Sequence, residues 1–392
     1  MAKFLTRNIW LLSIVSLFND VSSEMLYPVL PLFLQEIGFS SVLIGFLEGA
    51  AEATSGLTKG YFGRVSDSSG RRLPFVQLGY LLSGLAKSGM VLFTFPLWVF
   101  GTRSMDRFGK GLRTGARDAM LSDEATSENK GSVFGFHRAM DTLGAAIGPS
   151  FALVFIYYFP QQYRTLFLIA FIPAMLGTGL TLLLKEKPHK KDKKTNFHLS
   201  QIFNYWGEST AGYKKAAALL LLFALFNSSD IFLLMRIKEV VHNDTYVIAA
   251  YILYNLVYAL AAFPLGHLAD RIGLRVTLVA GFAIFALVYA GFGFASLTWH
   301  FVIAFILYGV YAAATEGVGK ALLSNLVPKS QSASALGTFA GFNSISALFA
   351  SIIAGLLWKY FSPMSMLLFS AAGALLVALL LGLTPLTEKT DQ

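Results

Sequence analysis

Apolar runs long enough to cross a bilayer, about 20 residues each, recur twelve times along this chain, and that pattern constrains the fold more than any other feature. The runs fall at 9–36, 41–62, 73–94, 97–117, 131–158 and 165–184, then at 215–237, 246–267, 276–296, 299–322, 331–357 and 364–384. Only 14% of the 392 residues are charged and 55% are hydrophobic, whereas a soluble globular domain carries about 25% charge. Too little charge is left to cover soluble domains, and the same composition excludes a disordered chain. The expected class is an all-α membrane protein. The absence of Cys excludes disulfide frameworks, thiolate zinc sites and cysteine nucleophiles.

The net charge of +9 would suggest an acidic partner in a soluble protein. Here the bases sort by side. Lys3, Arg7, Arg64, Arg71, Arg72, Arg113, Arg117, Lys130, Arg271, Arg275, Lys329 and Lys389 fall on one side with the lysines of the 185–214 linker, against Arg164, Arg236, Lys238 and Lys359 on the other. The excess of Lys and Arg in cytoplasmic loops places both termini and the linker in the cytoplasm, with the chain in the inner membrane. The first apolar run lacks a signal-peptide cleavage pattern and reads as a span. No nucleic-acid partner is expected, because the linker's Lys run reads as a solvated or headgroup-facing segment.

The two halves echo each other. LFND at 17–20 matches LFNS at 225–228, GRVSDSSGRR at 63–72 matches GHLADRIGLR at 266–275, and DRFGKG at 106–111 matches EGVGKA at 316–321. Three echoes in one order mark a parallel repeat. The expected organisation is a six-helix bundle over 1–184, a basic linker over 185–214, and a second six-helix bundle over 215–392.

Between the second and third runs stand Gly63, Asp67, Gly70, Arg71 and Arg72, in the pattern G-x-x-x-D-x-x-G-R-[KR], repeated as Gly266, Asp270, Arg271, Gly273 and Arg275. On this doubled motif the whole chain resembles the major facilitator superfamily. The resemblance implies twelve helices in two pseudo-symmetric bundles and a gate latch at Gly63, Asp67, Arg71, Arg72, Gly266, Asp270 and Arg275. Arg103, Asp106, Arg107, Gly109 and Gly111 partly match that family's R-x-x-Q-G-x-G-x-A motif. Gly135, Gly144, Gly148 and Pro149 keep the spacing of its antiporter motif and lack the closing glycines. The same four residues also read as a small-residue packing face with a bend.

Charges inside apolar runs cost about 2.5 to 3.5 kcal/mol each, so they are candidates for function. The first half holds Asp20, Glu24, Glu48, Glu52, Asp106 and Asp141 against Lys59, Lys87, Arg103, Arg107, Lys110 and Arg138. The second half holds Asp230, Glu316 and Lys320. Equal numbers suit a self-neutralising network; a proton-exchanging cavity is the functional alternative. The leading candidates are Asp20 and Glu24, expected to face Arg103, Asp106, Arg138 and Asp141. Tyr251, Tyr254 and Tyr258 are candidate cavity-lining aromatics.

No enzyme constellation has a domain to sit on. GKG at 109–111 lacks the Ser or Thr of a phosphate loop, and six scattered His without Cys give no metal site. No cofactor is expected. The reading is a monomeric secondary transporter that moves a small polar, charged or amphiphilic molecule by proton-coupled alternating access, with the antiporter-like spacing favouring export. Alternatives are proton-coupled import of an organic anion on Arg103, Arg107, Lys110 and Arg138, or divalent-metal export through Asp20 and Glu24 resembling ferroportin-type carriers. A lipid flippase or a receptor is a further alternative.

Overall fold

The computed structural model describes residues 5–27, 29–39, 41–186, 204–242 and 244–385. Its helices are α1 (Arg7–Leu26), α2 (Leu30–Glu36), α3 (Ser41–Ser69), α4 (Leu73–Gly89), α5 (Pro96–Glu124), α6 (Lys130–Tyr158), α7 (Tyr163–Leu180), α8 (Asn204–Glu208), α9 (Ala211–Phe226), α10 (Ile231–Val241), α11 (Asp244–Ile272), α12 (Leu274–Phe294), α13 (Thr298–Asn325), α14 (Ser332–Tyr360) and α15 (Pro363–Leu383). Taking α1 with α2, and α9 with α10, as interrupted single crossings, and setting aside the short α8 within the expected linker, the rods fall on the twelve expected runs.

Eight of these helices are apolar and long enough to cross a membrane among the described residues. The other crossings depart for visible reasons. α3 and α5 carry many charges, α4 is 17 residues long, and the seventh crossing is broken between Phe226 and Ile231. Helices α3 and α5 also outrun their apolar stretches, to Ser69 and Glu124. Arg113 and Arg117, expected among the loop bases, therefore lie on α5.

Two compact units result. One comprises Met1–Glu124, Met140–Glu208 and Pro328–Gly341; the other comprises Ala125–Ala139, Ser209–Val327 and Phe342–Gln392. In the first, α5 packs on α3 and α4, while α7 packs on α1 and α4. In the second, α13 packs on α11 and α12, while α15 packs on α12 and α9. These are the same four pairings, repeated, as the sequence echoes require. The first turns of α6 group with the second unit, and those of α14 with the first.

The burial pattern inverts that of a soluble protein. Leu260, Leu379 and Leu383 are largely exposed, whereas Ser13, Ser16, Asn19, Asp106, Arg113, Asp118 and Asp141 are buried. Apolar outer faces suit hydrocarbon, and polar groups withdrawn from it must pair with one another.

Candidate functional site

The two repeated motif loops make matching contacts, each inside its own unit. In the first, Asp67 at the end of α3 accepts the amide of Ser334, in the first turn of α14, at 2.7 Å. Arg72 donates to Asp67 at 3.0 Å and to the Lys329 carbonyl at 2.6 Å, and also binds Asp123. Arg72 is only 1% exposed; three acceptors compensate for removing a guanidinium from water. In the second, Asp270 accepts the amides of Gly131 and Ser132, the first residues of α6 beyond Lys130, both at 2.7 Å, together with the Ser132 hydroxyl. A carboxylate at a helix N-terminus satisfies orphan N–H groups and opposes the positive end of the helix dipole. Gly70 and Gly273 turn the two loops at φ +65° and +103°, a region open to glycine and strained for other residues. Arg275 caps the other end of a neighbour, donating to the Leu381 carbonyl at 2.7 Å and to that of Gly382. Arg71 is exposed.

Glycine is required where these helices meet. A Cβ at Gly63 would strike the Ala333 carbonyl, and at Gly337 would stand 2.5 Å from that of Lys59. In the second unit a Cβ at Gly135 would stand 2.5 Å from the Ala262 carbonyl, and one at Gly266 would strike that of Gly131.

The described ends of the linker bind the first loop. Glu186 accepts from the backbone N–H of Arg72 and of Leu73, the latter at 3.2 Å, at the start of α4. Glu208 takes both its carboxylate oxygens to Arg64 Nη2 at 2.9 Å. Residues 187–203 lie outside the described residues, as do the side chains of Glu48, Glu52 and Lys238.

Inside the first unit, α1 meets α6 through carboxylates. Asp20 lies in the field of Asp141, and Ser16 donates to Asp141 at 2.5 Å. Arg117 reaches Ser16 at 3.2 Å and pairs with Asp118 at 2.9 Å. Glu24 lies in the field of Lys110, Arg107, Asp141 and Lys87, and Lys87 donates to Ser23 at 2.8 Å. Asp106 pairs with Arg103 at 3.4 Å and is also surrounded by Lys87, Arg107 and Arg113. Arg113 donates to Ser83 at 2.8 Å and lies 4.4 Å from the Tyr80 ring centroid. Among the described residues, no three His, Asp or Glu side chains gather as a metal cage would need.

The second unit holds a smaller set. Arg138 pairs with Glu316 at 2.5 Å and donates to the Tyr258 hydroxyl at 2.5 Å. Lys320 follows Glu316 by one turn of α13. Asp230, at the break between α9 and α10, accepts from Tyr308 at 2.5 Å.

A model of the Major Facilitator Superfamily matches residues 12–254 and 216–392. The chain belongs to that superfamily. It is 35% identical over 392 residues to an uncharacterized MFS-type transporter of Methanocaldococcus jannaschii, covering 96% of this chain and 94% of that one. It is 24% identical over 332 residues to a multi-drug resistance efflux pump PmrA homolog of Lactococcus lactis, covering 82% and 81%. Among solved structures, the human organic anion transporter MFSD10 superposes with a TM-score of 0.82 at 13% identity, covering 96% of this chain and 99% of that one. The protein is thus a multi-pass membrane transporter of a small molecule and not an enzyme.

In this transporter the antiporter-like spacing on α6 divides its work. Gly135 serves the second unit, against α11, as described above. Gly144 and Gly148 serve the first: a Cβ on either would stand 2.6 Å from a carbonyl of α1, Leu17 and Val21 respectively. Pro149 follows inside the continuous helix. Close approach of α6 to α1 is what brings Asp141 to Asp20. Sequence reasoning missed Ser16, Arg117 and Tyr308. A hydroxyl four residues before Asp20 on one helical face was the available signal for Ser16.

Proposed function

We propose that this transporter exports a small charged or amphiphilic molecule in exchange for protons, by alternating access in the inner membrane, as a monomer with both termini cytoplasmic. The observation that carries the coupling is the meeting of two acids where α1 and α6 touch: Ser16 of α1 donates to Asp141 of α6 at 2.5 Å, and a Cβ on Gly144 would stand 3.1 Å from that of Asp20. Two ionised carboxylates set close together repel, and that repulsion favours a proton on one of them. The pair acts as a unit that holds one shared proton, with Ser16 and Arg117 beside it to stabilise the remaining charge. Losing that proton sets two like charges together where α1 and α6 touch, and loosens that contact.

Helix α6 extends the effect. It carries Asp141 and, three turns earlier, the Gly131 and Ser132 amides held by Asp270. A shift of α6 on deprotonation would bear on the same helix that Asp270 caps. Export, rather than import, is supported by the Gly135–Pro149 spacing and by the likeness to a relative named as an efflux pump.

The test is ethidium transport in proteoliposomes with an imposed pH gradient. Ethidium movement should follow the gradient and carry protons, read by an internal pH dye, and both should vanish in Asp20→Asn. Ethidium transport that ignores the gradient would sink the coupling.

A further inference from the structure

The seventh crossing is interrupted where an acid stands. Helix α9 ends at Phe226 and α10 begins at Ile231, leaving Asn227, Ser228, Ser229 and Asp230 between them. A broken crossing releases backbone carbonyls that an intact helix would use, and half-helix ends at such breaks are where transported ions and substrates are held. The negative end of the α9 dipole and the positive end of the α10 dipole meet here and largely cancel, so the side chains decide the sign. Asn227 Oδ1 is a buried acceptor without a hydrogen-bond partner among the described residues. Asp230 is half-buried, accepts only from Tyr308, and has Glu316, another acid, as the one charged group acting on it among the described residues. An ordinary structural acid at this depth would have a base beside it.

The surroundings are aromatic. The Tyr308 ring lies 4.9 Å from that of Tyr254, 5.3 Å from Tyr311 and 6.3 Å from Tyr289 by centroid distance. All four are buried. Packing alone would be served by Phe, and a buried Tyr needs a partner for its hydroxyl; Tyr308 spends its hydroxyl on Asp230. Carboxylate, orphan amide oxygen and electron-rich ring faces are all acceptors of positive charge, and the base that acts on Tyr254, Arg138, is taken up by Glu316 and Tyr258.

We propose that the break at Asn227–Asp230 is a binding site for an organic ammonium ion, whose charge pairs with Asp230 and whose carbon skeleton lies against the tyrosines around Tyr308. An N–H of the ammonium is donated to Asp230 and another to Asn227 Oδ1, and the rings add cation–π attraction. This deepens the export reading by naming its substrate class. It rests on that reading for direction alone; binding at Asp230 stands or falls separately.

The experiment measures binding to the purified full-length transporter in detergent at pH 7, without any pH gradient, so that failure of proton coupling leaves it untouched. Benzylammonium and phenethylammonium are the probes, benzoate the control, and thermal stabilisation the readout, since a ligand bound to the folded state raises its stability. Both cations should stabilise the wild type and benzoate should not. Asp230→Asn should weaken benzylammonium about 10-fold or more, as expected for a hydrogen bond to a charged group. Tyr254→Leu should weaken it roughly fivefold through the lost ring face, and Tyr308→Phe should fall between that variant and the wild type. Stabilisation by neither cation, stabilisation by benzoate instead, or equal affinity in Asp230→Asn overturns the site. Should Asp230→Asn fail to fold, unchanged affinity in both tyrosine variants overturns it equally.

Discussion

Asp67 holds the backbone amide of Ser334 at 2.7 Å, a hydrogen bond between the end of α3 and the first turn of α14, from opposite halves of the sequence. Asp270 treats Ser132 in the same way in the second unit. Each acid is thus a helix cap supplied from a distance, and the doubled motif has a physical role: it fastens a helix N-terminus from a remote part of the chain.

Replacing the carboxylate of Asp67 should loosen that contact without unfolding the protein. Asp67→Asn keeps one acceptor oxygen, and loses the charge that opposes the α14 dipole and pairs with Arg72. Caps and dipole terms of this kind are worth about 1 to 2 kcal/mol, or roughly 5- to 30-fold in an opening equilibrium. The chain has no Cys, so a single Ala335→Cys reporter at a buried position can be labelled cleanly. Its labelling should speed up by about that factor when Asp67→Asn is added. An unchanged rate would show that the cap does not govern opening.

The helix contact that brings Asp141 to Asp20 depends on glycine. Gly144→Val would put a Cβ 2.6 Å from the Leu17 carbonyl and 3.0 Å from the Val21 amide, both backbone atoms that cannot rotate away. Overpacking of this kind costs about 1 to 3 kcal/mol or more, and thermal stability in detergent should fall accordingly. Gly179→Ala, with nothing within 4 Å of its Cβ, should leave the melting temperature unchanged or slightly raised. Equal losses in both variants would remove the special role of Gly144.

The linker ends differ in weight. The Arg64–Glu208 pair is geometrically good, but Glu208 is 58% exposed, and exposed pairs contribute about 0 to 1 kcal/mol. Glu186 instead receives two backbone N–H groups at the start of α4. Its removal leaves orphan donors, which costs about 1 to 2 kcal/mol. Glu186→Ala should therefore destabilise the transporter more than Glu208→Ala does, read by chemical or thermal unfolding. The reverse order would mean that the linker is held chiefly through Arg64.

Apolar run length made the crossings legible in the sequence, because lipid demands it of any helix that has no polar cavity to face. It stopped short where function begins. The runs end near 62 and 117, yet α3 continues to Ser69 and α5 to Glu124, since the charges there are satisfied by partners far along the chain. Asp67 was visible as a motif residue; Ser334 was not, because a backbone amide has no residue-type signature. Likewise Asp230 stood out as a buried charge, while Tyr308 looked like one more aromatic on an apolar helix. Arg138 and Asp141 are three residues apart and read as one face of one cluster. The structure gives the first to Glu316 and Tyr258 and the second to Ser16 and Asp20, a division set by packing that local spacing does not encode.

The meeting of Asp20 and Asp141 poses two explanations for buried acids, a structural network and a proton carrier. Asp141→Asn offers an amide N–H to Asp20, which relieves the repulsion of the pair without supplying an exchangeable proton. Ser16, which donates to Asp141 at 2.5 Å, would then face an amide oxygen of nearly the same shape. If the acids only hold α1 against α6, Asp141→Asn should transport normally and melt within about 1 kcal/mol of the wild type, the usual net worth of one hydrogen bond. If they carry the coupling proton, stability should stay within that same margin while gradient-driven ethidium movement in proteoliposomes disappears. Ser16→Ala distinguishes the cases further: it removes one donor to the pair and leaves both carboxyl groups, so transport should persist with a shifted pH dependence. Loss of folding in Asp141→Asn together with normal transport in Asp20→Asn would assign the pair to packing alone.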